Sequence, residues 1–135
     1  MDHVAPLGGV YQAGTLSGNP VAVAAGIANL KALKHKDYAA LNKKTTELCD
    51  SLEGSFGKKR EAVTINRAGS LFTIFFTKGP VYDFTDAKRS DTKKYAQYFW
   101  SMMRKGINLP PSQFEAQFLS FSHTGKDLGQ ICKAV

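Results

Sequence analysis

The run Val21 to Leu33, VAVAAGIANLKAL, is apolar on nearly every side of a helix until Lys31. A helix without a polar face is stable only when it is surrounded. A chain of 135 residues has the length of one domain and seldom has room to surround such a helix. The run is therefore expected to pack against another domain or subunit. Just ahead of it stands GTLSGNP, Gly14 to Pro20. Asn19 can cap the first free amides, and Pro20 is tolerated at the first helical position. The glycines allow close approach, the hydroxyls of Thr15 and Ser17 can donate, and a helix start carries partial positive charge, a combination that suits a phosphate. The same residues also make an ordinary turn with a helix cap. The residues alone leave both readings open.

After an irregular lead-in, Met1 to Gly9, and the apolar helix, a second helix is expected from about Tyr38 to Leu52. Leu41, Thr45, Leu48 and Leu52 share one stripe with Cys49 beside it, and Gly54 and Gly57 mark the exit. AVTIN (62–66) and SLFTIFFT (70–77) read as strands of a hairpin joined through Arg67-Ala68-Gly69. Asp91 can cap a helix over Thr92 to Lys105 with Tyr95, Phe99, Met102 and Met103 inward, and Gly106 stops it. A short strand over Ile107 to Leu109, a strand over AQFLSFSH (116–123), and a final helix behind a Thr124/Asp127 capping box complete the order. This is an α+β fold: a small, mostly antiparallel sheet with helices on one face, preceded by a long helix.

The chain is 43% hydrophobic and 21% charged, which excludes wholesale disorder. No apolar run approaches the roughly 18 residues of a membrane span, and Met1 to Gly9 has neither the basic start nor the apolar segment of a signal peptide. Cys49 and Cys132 fall at apolar helix positions without metal spacing, the pattern of reduced thiols, so a cytoplasmic location is expected. The net charge of +7 comes from short basic clusters spread along the chain. That distribution fits a solvated surface or an anionic small-molecule substrate. The alternative, a small basic nucleic-acid-binding or interaction module, would need a basic-Gly pair leading the aromatic strand, and SLFTIFFT lacks one. GTLSGNP lacks the lysine of a P-loop, and Ser17 lies in no nucleophile elbow. His3 and His35 read as surface residues and His123 as a structural one. No cluster of metal-ligand type is present, and no lysine stands out as a nucleophile.

VAPLGGVYQAGTLSGNPVAVAAG and RAGSLFTIFFTKGPVYDFTDAKRSDTKKYAQYFWSMMRKGINLPPSQFEAQFLSFSHT together resemble the carboxy-terminal part of the aminomutase branch of the class-III aminotransferases. The likeness covers essentially the whole chain. One departure is Gly9, where the family pattern has a proline, and it affects only a turn. The resemblance implies that 1–36 is the end of a large domain plus a connecting helix. It also implies that 37–135 is the small carboxy-terminal domain of a fold-type-I pyridoxal-phosphate enzyme. The activity implied is conversion of glutamate 1-semialdehyde to 5-aminolevulinate, with pyridoxal 5'-phosphate and pyridoxamine 5'-phosphate as cofactor forms. The family's cofactor-bearing lysine lies upstream of the matched stretch, so this segment alone is expected to be inactive and not to hold the cofactor. The implied partners are the large domain, a second subunit of a homodimer and the small-molecule substrate, with no nucleic acid, membrane or metal. Carried over residue by residue, Thr15 reaches the cofactor phosphate of the other subunit, with Gly14 allowing close approach. By the same resemblance, Glu115 in PSQFEAQF is expected to face the substrate, where related transaminases present an arginine to a carboxylate.

Overall fold

A computed structural model describes all residues, 1–135. The chain divides into two compact units, Met1–Lys36 and Asp37–Val135.

In the first unit the lead-in closes on itself. Val10 N–H donates to His3 O at 2.9 Å and Ala5 N–H to Val10 O at 2.8 Å. Two successive turns follow, with Ser17 N–H on Gly14 O at 2.9 Å and Asn19 N–H on Leu16 O at 3.0 Å. They deliver the chain into helix α1 (Pro20–Lys34), whose first amides, Val21 and Ala22, donate to Asn19 Oδ1 at 3.0 and 3.1 Å. No residue of α1 is buried, and Val21, Val23, Ile27 and Leu30 are all exposed. The helix start was legible in the local chemistry, and within its own unit the apolar run stays uncovered.

The second unit begins with α2 (Tyr38–Lys58), capped by Asp37, whose Oδ1 accepts Ala40 N–H at 2.9 Å. Leu41, Thr45, Leu48, Cys49 and Leu52 are buried as the spacing predicts. The helix does not end near Gly54 and Gly57, as expected, but runs through both. Phe56 explains the difference: it is buried, with Phe76 edge-on at 5.7 Å and Tyr98 at 5.6 Å. Burying a phenylalanine stabilises by about 1.5–3 kcal/mol before any ring-pair term. Each glycine inside a helix costs about 1 kcal/mol, so packing outweighs propensity. The chain then turns at Arg60, in the left-handed region with φ 57°.

Strands β1 (Thr64–Ala68) and β2 (Leu71–Phe75) pair antiparallel from Thr64 opposite Phe75 to Ala68 opposite Leu71. The turn is Gly69-Ser70, with Gly69 at φ 61°, so Arg67 and Ala68 belong to the strand rather than the turn. Glycine supplies the positive φ that a two-residue hairpin needs, and the ladder extends up to it. A one-turn helix α3 (Phe84–Ala87), not anticipated, is nucleated by Asp83, whose Oδ1 accepts Asp86 N–H at 2.9 Å. Helix α4 (Thr92–Arg104) starts on Asp91, which accepts from Lys93 and Lys94 N–H, both at 3.0 Å. Its buried stripe is Tyr95, Tyr98 and Met102; Phe99 is half-buried and Met103 exposed. Met103 lies about 100° further round the helix than Met102, which turns it past the core face.

Ile107 to Leu109 form no strand. Ile107 N–H closes the end of α4 on Met102 O at 2.9 Å, and Leu109 plugs the core. Strand β3 is only Gln117–Phe118, pairing with Phe72 and Leu71, and the order in the sheet is β1-β2-β3. The longer strand expected to His123 is cut short where Ser120 to His123 folds into a turn, with His123 N–H on Ser120 O at 3.2 Å. Helix α5 (Gly125–Ala134) opens on the expected capping box. Thr124 N–H donates to Asp127 Oδ2 at 2.7 Å, and Asp127 N–H to Thr124 Oγ1 at 3.3 Å.

Phe72, Ile74 and Phe76 of the central chain pack into one cluster with Leu48 and Leu52 of α2, Tyr95 and Met102 of α4, and Ala134 of α5. Phe75 points the other way, to a small cluster with Val81 and Ala87. The result is an α+β unit, with α2, α4 and α5 gathered on one face of a small antiparallel sheet and the one-turn α3 against Phe75 on the other.

Candidate functional site

The candidates lie in separate units, Gly14 and Thr15 in the first and Glu115 in the second.

Thr15 is exposed in the turn ahead of α1, and its hydroxyl has no partner within the chain. Gly14 is packed so closely that a Cβ there would come within 2.5 Å of Ser17 Oγ. A side chain there would turn the Ser17 hydroxyl to another rotamer. Because Asn19 already accepts from the first amides of α1, the free donors of this stretch are its hydroxyls rather than the helix end itself. No acidic side chain stands in the first turn of α1. An exposed hydroxyl on a glycine turn beside uncompensated positive dipole is compatible with a phosphate oxygen.

Glu115 sits on a turn between α4 and β3. Ser112 organises it, its Oγ accepting Phe114 N–H at 3.2 Å and its carbonyl accepting Glu115 N–H at 3.2 Å. Three ties fix the turn to its surroundings. The Tyr95 hydroxyl donates to Pro110 O at 2.7 Å, the buried Gln113 amide donates to Ile74 O at 2.6 Å, and the Phe114 ring meets Phe84 edge-on at 5.7 Å. The carboxylate of Glu115 is exposed and borders a cleft of about 470 Å³ that Asn108, Pro110, Gln117 and His123 also line, over a floor that includes Leu48, Phe72 and Ile131.

The electrostatics follow from burial. Loss of hydration, with a smaller contribution from the nearby Glu115 charge, pushes the Tyr95 phenol up to about 12, so the group stays protonated and keeps donating to Pro110. His123 is fixed within its own turn. Its Nδ1 accepts Ser120 N–H at 3.1 Å and lies 3.0 Å from Ser120 Oγ, while its carbonyl takes Lys44 Nζ at 3.1 Å. A ring nitrogen that accepts a backbone N–H carries no proton, so the network assigns the neutral ring's hydrogen to Nε2. The structural role read for His123 from sequence fits this arrangement. No group of three His, Cys, Asp or Glu side chains could hold a metal ion, and no helix is long and apolar enough to cross a membrane.

An exposed carboxylate on a fixed turn at the mouth of a cleft can accept hydrogen bonds from an ammonium group and repels a second carboxylate. Sequence reasoning reached Glu115 but missed Gln113 and the Tyr95–Pro110 tie. Both depend on partners about forty and fifteen positions away along the chain, and no local pattern announces them.

No protein-family model matches the chain. It is 53% identical over 99% of its length to the glutamate-1-semialdehyde 2,1-aminomutase of Ruminiclostridium cellulolyticum, and 48% identical over 99% to that of Syntrophus aciditrophicus. Against the enzyme of Sulfurihydrogenibium azorense it is 51% identical over 95%. It covers 31%, 32% and 30% of those relatives. Among solved structures, a β-phenylalanine aminotransferase from Variovorax paradoxus superposes with a TM-score of 0.77 at 25% identity, over 94% of this chain and 29% of that one. An omega-transaminase from Sphaerobacter thermophilus matches with a TM-score of 0.73 at 20% identity, over 96% of this chain and 30% of that one, and a transaminase with pyridoxal phosphate bound scores the same at 19% identity, over 96% and 29%. The last two likenesses establish the fold, that of transaminase segments. Over its whole length the chain is homologous to the carboxy-terminal part of the glutamate-1-semialdehyde 2,1-aminomutases, and it spans about a third of their length.

Proposed function

We propose that this chain forms part of a pyridoxal-phosphate-dependent aminomutase that converts glutamate 1-semialdehyde to 5-aminolevulinate. Identity near 50% to aminomutases across the whole chain carries the reading. Bound pyridoxal or pyridoxamine phosphate would supply the electron sink and the amine for the exchange. The residues of this chain would hold and select. In a homodimer, Thr15 would donate its hydroxyl to the cofactor phosphate of the other subunit, with Gly14 keeping the turn narrow enough for that approach. Glu115 would face the substrate, accept from an amino group and disfavour dicarboxylate competitors by charge repulsion. In this scheme residues 1–36 complete a large domain and connecting helix, and 37–135 form the small domain. The apolar α1 would then find its cover in the rest of the enzyme. No feature of the site favours nucleic acid.

The test is a chimera in which this chain replaces the matching third of the Ruminiclostridium cellulolyticum enzyme. The chimera is expected to form 5-aminolevulinate from glutamate 1-semialdehyde. A folded, cofactor-binding chimera that forms none would overturn the reading.

A further inference from the structure

We propose that Gln113 is a positioning residue that holds Glu115 out of the sheet. Strand β3 pairs with β2 for only two residues, Phe118 opposite Leu71 and Gln117 opposite Phe72. Continuing that register by one more rung on the same edge would set Glu115 opposite Ile74, with Glu115 N–H donating to Ile74 O. The structure departs from this at one place. The Gln113 side chain reaches Ile74 O instead, with Nε2 at 2.6 Å, and Glu115 N–H turns away to Ser112 O at 3.2 Å. A side-chain amide thus fills the rung that the Glu115 backbone would otherwise make. The carboxylate is left on an exposed turn at the cleft rather than in an extended strand.

The chemistry of the amide supports this assignment. Ile74 is fully buried, so its carbonyl needs a donor, and the end of the Gln113 side chain that faces it must be the N–H end. Gln113 is itself buried, and its Oε1 has no partner. An apolar side chain would fill the same space without stranding an oxygen, so the amide serves for its donor rather than for its bulk.

The consequence for substrate selection rests on the reading of Glu115 above; the positional claim does not. The test is therefore made on the 135-residue chain by NMR, with no cofactor or substrate. In Gln113→Leu, Ile74 O loses its donor. The Glu115–Ser112 turn, followed by its short-range nuclear Overhauser contacts and the exchange of the Glu115 amide, should lose about tenfold or more of its population, while amides of α2 and α4 keep their protection. In Gln113→Glu the turn should persist at acid pH, where a protonated carboxyl can still donate, and be lost as the pH rises and the group ionises against a carbonyl. If Leu at 113 prevents folding, the acid-to-neutral titration of the Glu variant decides alone. An unchanged Glu115 turn in Gln113→Leu, a pH-independent turn in Gln113→Glu, or protection lost evenly across the core would each overturn the assignment. Failure of Glu115→Gln to alter substrate choice would remove the functional reading and leave the positional one standing.

Discussion

A threonine hydroxyl without a partner and a carboxylate held at the mouth of a cleft have opposite preferences, and the substitutions that test them differ accordingly. Thr15→Val keeps the shape and removes the donor. In the chimera it should weaken cofactor retention by about 1–3 kcal/mol, the cost of a hydrogen bond withdrawn from a charged group. Thermal stability should hardly move, because nothing in the chain uses that hydroxyl. Unchanged cofactor affinity together with a lower melting temperature would assign Thr15 to the turn instead. Glu115→Gln keeps the size and removes the charge. In the chimera it should raise the rate of amino transfer from dicarboxylate amino acids relative to the aminomutase reaction, measured as the ratio of the two in single turnover. A ratio that stays put leaves Glu115 as a polar turn residue. Both residues were legible as polar groups in turns, and their roles came from likeness to a family. The reason is physical: each would act on a ligand or subunit that is no part of the local sequence.

Elements depend more on local chemistry, and the caps show it. Asn19, Asp91 and the Thr124/Asp127 box were readable because a cap is satisfied within three residues of its own position. The Asp127 carboxyl is held below its ordinary range, chiefly by the hydrogen bonds from Thr124, side chain before backbone. Thr124 is the cap of α5, so Thr124→Ala should destabilise the chain by about 0.5–2 kcal/mol, as the loss of a helix cap does, seen in urea denaturation as a lower midpoint with the slope unchanged. The first turn of α5 should lose amide protection before the rest of the helix. An unaltered midpoint would mean that α5 is held by its packing through Leu128, Ile131 and Ala134 and needs no cap. Element ends were harder to read. Gly54 and Gly57 look like an exit until Phe56 is seen locked between two rings, and Gln117–Phe118 is a fragment of a strand whose alternation runs on to His123 in sequence.

For the whole molecule the buried titratable groups set a pH limit. Burial pushes the Cys49 thiol up from 9.0 to about 11 and the Tyr95 phenol from 10.0 to about 12, and the Tyr98 phenol upward as well. These groups are neutral when protonated, so a raised folded value means that the unfolded chain loses its protons first as pH increases. Their contribution is fully present below pH 9 and is lost as pH rises between the unfolded and folded values. The denaturant midpoint should thus be level from pH 7 to 8.5 and fall steadily from about pH 9 to 12. Cys49→Ala should flatten the first part of that fall. A midpoint independent of pH up to 11 would show that these groups are hydrated in the folded state.

By itself the sequence determined what short-range chemistry can decide: where the longer helices start, that the two β-rich runs at 62–66 and 70–77 fold back on one another as a hairpin, and that Val21 to Leu33 has no polar face. Each of these depends on groups a few residues apart, or on a hydrophobic pattern with the period of its own element. The tertiary structure alone decided that α2 continues past two glycines, that Tyr98 rather than Met103 turns inward, and that the Gln113 amide takes the rung facing Glu115. Those outcomes compare the burial of a ring or a carbonyl with a local preference of similar size. The comparison has an answer only once residues distant in sequence have been brought into contact.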